Sequence, residues 1–119
     1  MRILIAEGDE FLRELLADFL SELGHKIIGA KNGMELVKLA LSERPELVIA
    51  ELYMPEIAGS SIIAMLDTYP DLAGIPIILI TGATSLELSN IGIPKEIPIL
   101  PKPFDFAKVA GVVDRATRR

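Results

Sequence analysis

The sequence predicts a five-stranded, doubly wound parallel α/β domain. Three observations carry that prediction: short apolar runs alternate with helix-periodic stretches, glycine or proline punctuates the joins, and the strongest runs are apolar at nearly every position. At 119 residues the chain is expected to be one domain, 1–119, large enough to bury a real core. Half of it is hydrophobic and 24% is charged, a globular composition.

Arg2-Ile-Leu-Ile-Ala6 reads as the first buried strand. Over 10–23, Leu12, Leu15, Leu16, Phe19, Leu20 and Leu23 recur at steps of three and four on one helical face, and Gly24 supplies a stop. Lys26–Gly29 is a second strand, and Asn32-Gly33 opens a helix over 33–43 that must end before Pro45. Glu46–Ala50 is the third strand, followed by a helix near 59–68. Pro76–Ile80 is the fourth, apolar at every position after its proline, as expected of a strand covered on both faces. A short helix over 84–91 is interrupted by Gly92, Pro94 and Pro98; Ile97–Leu100 is the fifth strand. Residues 104–118 place Phe106, Val109, Ala110, Val113 and Thr117 on one face of a terminal helix. Met34, Met54 and Met65 are expected between helices and sheet, Phe104 and Phe106 in the core, and His25 in solvent.

Several function classes fall away. No apolar run approaches the roughly 18 residues that cross a bilayer, and Met1-Arg2-Ile3 runs into structure without a leader-like segment. With no cysteine there is no thiolate metal site and no disulfide framework, which fits a cytoplasmic protein. A net charge of −5 argues against a nucleic-acid surface, and the basic tail of Arg115, Arg118 and Arg119 reads as a complement to a helix C-terminus.

In open parallel sheets the ligand site lies beyond the C-terminal strand ends, where the strand order switches. The residues there are Glu7-Gly8-Asp9, Glu51, Thr81 and Lys102. Each has an ordinary role open to it: Glu7 or Asp9 as a helix cap, Thr81-Gly82 as a turn, Lys102 as a solvated cation before a proline. Their coincidence at four strand ends points to one shared pocket.

Together "AEGDEFLRELL", "ELYMPEIAG", "ILITGATS" and "ILPKPF", in this order, resemble the receiver domain of two-component response regulators from Arg2 to about Thr117. The resemblance implies a flavodoxin-like fold and a signalling module rather than an enzyme. In such domains two acids after the first strand and an aspartate ending the third hold Mg²⁺. That aspartate accepts a phosphoryl group from a histidine kinase, and a Ser/Thr and a Lys bind its oxygens. Glu7, Thr81 and Lys102 match that pattern, but the second acid falls on Gly8, the phosphoacceptor on Glu51 and the aromatic switch on Ile99. Tyr53 falls where the family offers a metal a backbone carbonyl.

The physics of the departures is cumulative. Glutamate moves the carboxylate by about 1.5 Å relative to aspartate, and displacing a reacting group by about 1 Å costs around a hundredfold. Gly8 removes a carboxylate where Mg²⁺ wants octahedral oxygen ligands. An aliphatic residue cannot swing a polar handle. The expectation is therefore a pseudo-receiver with weak Mg²⁺ binding at most, in which Glu51 pairs with Lys102 or accepts from Thr81. Its partner would be a histidine kinase, another receiver or an output domain, with homodimerisation open to it. The alternative is a receiver still phosphorylated at Glu51 or Asp9. A flavin-binding domain would want a phosphate-cradling loop where this chain has the acidic "AEGDEF".

Overall fold

A computed structural model describes residues 1–52, 68–82 and 93–117. Its elements are β1 (Arg2–Ala6), α1 (Glu10–Glu22), β2 (Lys26–Ala30), α2 (Gly33–Glu43), β3 (Leu47–Glu51), β4 (Ile77–Thr81), β5 (Ile99–Pro101) and α3 (Phe106–Thr117). The helices expected over 59–68 and 84–91 lie outside the described residues apart from Thr68, as do Tyr53, Met54, Met65, Arg118 and Arg119.

All the pairings are parallel, and the strand order is β2-β1-β3-β4-β5. Strand residues of opposite parity feed two separate cores, which is why these runs lack a polar face. Ile3, Ile5, Leu47, Ile49, Ile78 and Ile80 meet Leu16 and Leu20 of α1 and Val109 and Val113 of α3. Leu4, Ala6, Val48, Ala50 and Leu79 meet Leu36 and Ala40 of α2. Helices therefore cover both faces of the sheet.

Local chemistry fixes the joins. Asp9 caps α1 by accepting from Leu12 N–H, and Asn32 caps α2 by accepting from Glu35 N–H. Asp105 accepts from Lys108 N–H at 2.8 Å before α3. After α1, Gly24 takes a left-handed φ of 96°, while its N–H donates to Ser21 and His25 N–H donates to Leu20. That paired closure is the Schellman arrangement, in which glycine meets no Cβ penalty. At the β5 edge, Leu79 N–H donates to the Pro98 carbonyl and Lys102 N–H to the Thr81 carbonyl, so even-numbered residues face β4. Pro101 then turns its donorless nitrogen outward, which blunts the edge against further pairing.

Three side-chain expectations need correction. Phe106, expected in the core, is 38% exposed because it opens α3 at the rim of the sheet. Met34 is 70% exposed because it stands in the first turn of α2, ahead of the residues that reach the sheet. On α1 only Leu16 and Leu20 are fully buried, while Leu15 and Leu23 remain substantially exposed. His25 is half-buried rather than solvated, its Nδ1 lying 3.3 Å from the Met1 amino group.

Candidate functional site

The strand order reverses direction between β1 and β3, so their C-terminal ends form the crevice. β1 delivers Glu7, whose N–H donates to Ala30 at 3.1 Å and continues the ladder to β2. β3 runs one residue further than its apolar stretch, and Glu51 is its last residue, registered with Ile80. Thr81 likewise ends β4 and is fully buried. Lys102 follows β5 directly, and the bond from its N–H to the Thr81 carbonyl, 2.7 Å, ties its backbone to β4. The Lys102–Pro103 peptide bond is cis.

From that anchor the Lys102 side chain reaches back across β4. Its ammonium lies 2.5 Å from Glu51 Oε2 and 3.3 Å from Glu7 Oε2. The ammonium is ion-paired with Glu51 and donates to both Glu7 oxygens, at 3.3 and 3.5 Å. Both acids are buried, Glu7 3% and Glu51 7% exposed. One cation is thus shared by two carboxylates that have lost most of their water.

Protonation follows from that count. Burial raises the Glu51 pKa from its ordinary 4.5 to about 7; Lys102 pulls it down, and Glu7 pushes it up again. Burial disfavours the Lys102 ammonium, but Glu51 and then Glu7 outweigh it and raise its pKa above the ordinary value. Hence Lys102 stabilises the fold until alkaline pH. Glu51 acts in the same direction, over a lower pH range. The folded chain holds a proton that the unfolded chain has released, so this contribution is greatest at low pH and is lost as pH rises from 4.5 through about 7. Glu51→Gln is expected to remove a slope on the order of 1 kcal/mol per pH unit. The check is urea unfolding of both chains across that range; parallel pH profiles would contradict the assignment.

The remaining nominated residues divide clearly. Asp9 belongs to the helix: its carboxylate accepts from Leu12 at 3.1 Å, and its N–H donates to Glu7 Oε1 at 3.2 Å. Gly8 stands outside the left-handed region, and a Cβ there would meet only the Lys31 carbonyl at 3.7 Å, so side chains fit. Ile99 opens β5 and packs against the α2-side core. Tyr53 lies outside the described residues. Sequence reasoning missed Arg13, whose Nη1 donates to the Glu7 carbonyl at 2.7 Å and pins the turn that carries Glu7. The available signal was that Arg13 is the lone base on an otherwise acidic helix.

Among the described residues, Mg²⁺ would meet a reduced set of donors. Gly8 offers no side-chain oxygen, and Lys102 holds the carboxylates of Glu7 and Glu51. Among the described residues no three His, Cys, Asp or Glu side chains are grouped as metal ligands.

A model of the response regulator receiver domain family matches residues 3–114. Protein Rrf1 of Nitratidesulfovibrio vulgaris is 29% identical over 115 residues, covering 97% of this chain and 81% of Rrf1. The probable transcriptional regulatory protein SilR of Salmonella typhimurium is 33% identical over 120 residues, covering all of this chain and 52% of SilR. The chain therefore spans about half the length of that relative. The chemotaxis response regulator CheY4 of Vibrio cholerae superposes with a TM-score of 0.88 at 22% identity, over 97% of each chain.

Proposed function

Because the chain belongs to the response regulator receiver domain family, the receivers of two-component signalling, we propose that it works there without taking up a phosphoryl group. It acts as a binding module whose surface is held in one arrangement from within. The observation that carries this reading is the closed ion cluster: the Lys102 ammonium joins Glu51 and Glu7, and Gly8 supplies no further acid. In this reading the lysine already neutralises the carboxylate that would otherwise attack. The attacking group is also a glutamate, displaced by one methylene, and no divalent cation screens it from an anionic donor.

The cluster couples β1, β3 and the turn after β5, so it braces the strand ends in one position. A carboxylate carries −1 against about −1.5 to −2 for a phosphoryl group, so the fixed surface imitates a phosphorylated one only in part. The partner class is a histidine kinase, another receiver or an output domain, met through protein contacts in the cytoplasm. Among the described residues no helix is long and apolar enough to cross a membrane.

The test is intact mass after incubation with acetyl phosphate and Mg²⁺. The natural chain is expected to keep its mass. An added phosphoryl group, mapped to Glu51 or Asp9, would overturn the proposal in favour of a working phosphoacceptor.

A further inference from the structure

The two edges of the sheet are not equally protected. Lys26 N–H donates to the Met1 carbonyl at 2.9 Å and Glu7 N–H to the Ala30 carbonyl at 3.1 Å, so the even-numbered residues of β2 carry the ladder to β1. Ile27 and Gly29 therefore turn their N–H and C=O groups away from the sheet. β2 is an end strand, and among the described residues nothing pairs with it on that side. Both ends of this window are closed. His25 N–H is committed to the Leu20 carbonyl, and Lys31 N–H to the Glu35 carboxylate at 2.9 Å. What remains is two donors and two acceptors in a fixed register. The β5 edge offers less, since it is three residues long and Pro101 has no donor.

Side chains do not close the window. Gly29 is exposed, and its φ lies outside the left-handed region, so the backbone there does not require glycine. Nor does packing, because a Cβ would meet Arg13 Cδ at 3.5 Å, an ordinary contact. A glycine that weakens a strand without serving its packing marks a place where another backbone comes close. The flanks are cationic. Lys26 is exposed, and among the described residues no acid pairs with it. The Lys31 side chain is 65% exposed, with Glu35 at 3.9 Å.

We propose that the free edge of β2 binds an extended, acidic segment of a partner protein, which adds to the five-stranded sheet as a further strand. Ile27 and Gly29 exchange main-chain hydrogen bonds with it, and carboxylates at its ends meet Lys26 and Lys31. Charge selects the occupant. Edge lysines discourage the pairing of like strands, and a second copy brings the same two lysines to the ladder. At physiological salt, screening beyond about 8 Å leaves these local cations, rather than the overall charge of −5, to decide. The proposal goes beyond the reading given above and does not rest on it. It concerns the outer edge of β2, which β1 separates from Glu51 on β3, so either can fail alone.

The experiment is an amide chemical-shift titration of the full chain, followed by hydrogen exchange. The probe is a short synthetic peptide of alternating valine and threonine with a glutamate at each end, compared with the same peptide ending in lysines. In the free chain the Ile27 and Gly29 amides are expected to exchange at least about tenfold faster than those of Ile28 and Ala30, which bond to β1. The glutamate peptide should shift Ile27 and Gly29 and slow their exchange on the order of tenfold. Affinity should fall on the order of tenfold in Gly29→Pro and in the pair Lys26→Gln, Lys31→Gln. The proline removes an outward donor and no bond to β1, while the paired substitution leaves the backbone intact. Equal protection of Ile27 and Ile28 in the free chain, no binding, equal binding of the lysine peptide, shifts confined to other strands, or unchanged affinity in either folded variant would overturn the proposal. Concentration-dependent self-association that protects Ile27 and Gly29 would also overturn it, by assigning the edge to a second copy.

Discussion

Lys102→Met is expected to destabilise the chain by about 2–3 kcal/mol at pH 8 and by roughly 1 kcal/mol at pH 5. Removing one partner of a fully buried ion pair costs about 3–5 kcal/mol because the other charge stays behind. The Lys102 side chain is 30% exposed, so solvent screens part of that loss. Methionine preserves the stem's packing, which isolates the charge. The pH dependence is the sharper part. At pH 8 the variant leaves Glu7 and Glu51 facing one another without a cation. At pH 5 the folded chain keeps a proton on Glu51, whose pKa already stands at about 7, and the repulsion is relieved. Urea midpoints at the two pH values decide it; equal losses would mean that the lysine contributes packing alone.

Leu16→Ala is expected to cost about 3–4 kcal/mol and to lower the thermal midpoint by roughly 10 °C or more, whereas Leu15→Ala one position earlier should cost under about 1 kcal/mol. Leu16 is fully buried in the cluster with Ile3, Ile5 and Val113, so alanine leaves a cavity that the rigid sheet cannot close. Leu15 is 37% exposed and has less contact to lose. The contrast bears on function as well as on stability. Leu16 seats α1, whose first turn fixes Asp9, and the bond from Asp9 N–H orients Glu7. Leu15 stands on the exposed side of the same helix and orients nothing at the crevice. Differential scanning calorimetry of both variants separates the two roles.

Most of the architecture was legible because parallel strands buried on both faces write themselves as apolar runs. Ile77–Ile80 and Leu47–Ala50 allow little else. What periodicity could not give was the last residue of β3 and of β4. Glu51 and Thr81 are polar, yet both extend the ladder: Leu52 N–H donates to Ile80, and Lys102 N–H to Thr81. Backbone pairing is indifferent to the side-chain chemistry that marks a strand's end in sequence. The same limit explains Leu15, Leu23 and Met34. A helical period locates an apolar stripe, but how deeply it sinks depends on the width of the sheet beneath, which is set by strands distant in sequence.

The candidate site was legible for a different reason. Strand ends converge by topology, so Glu7, Gly8, Glu51, Thr81 and Lys102 could be nominated without coordinates. The sequence did not show that Lys102 reaches both acids at once or that Asp9 is committed to Leu12. Those outcomes depend on side-chain reach and on the twist of the sheet. Arg13 was hidden because its contact is with a main-chain carbonyl, which carries no sequence signature.

The most direct test of the central claim is a paired intact-mass measurement with acetyl phosphate and Mg²⁺, on the natural chain and on Gly8→Asp combined with Glu51→Asp. The first substitution fits the space beside the Lys31 carbonyl, and the second withdraws the carboxylate by one methylene from Lys102. The natural chain is expected to gain no mass and the double variant one phosphoryl group, which would locate the loss of transfer in those two residues. A phosphoryl group on the natural chain would contradict it.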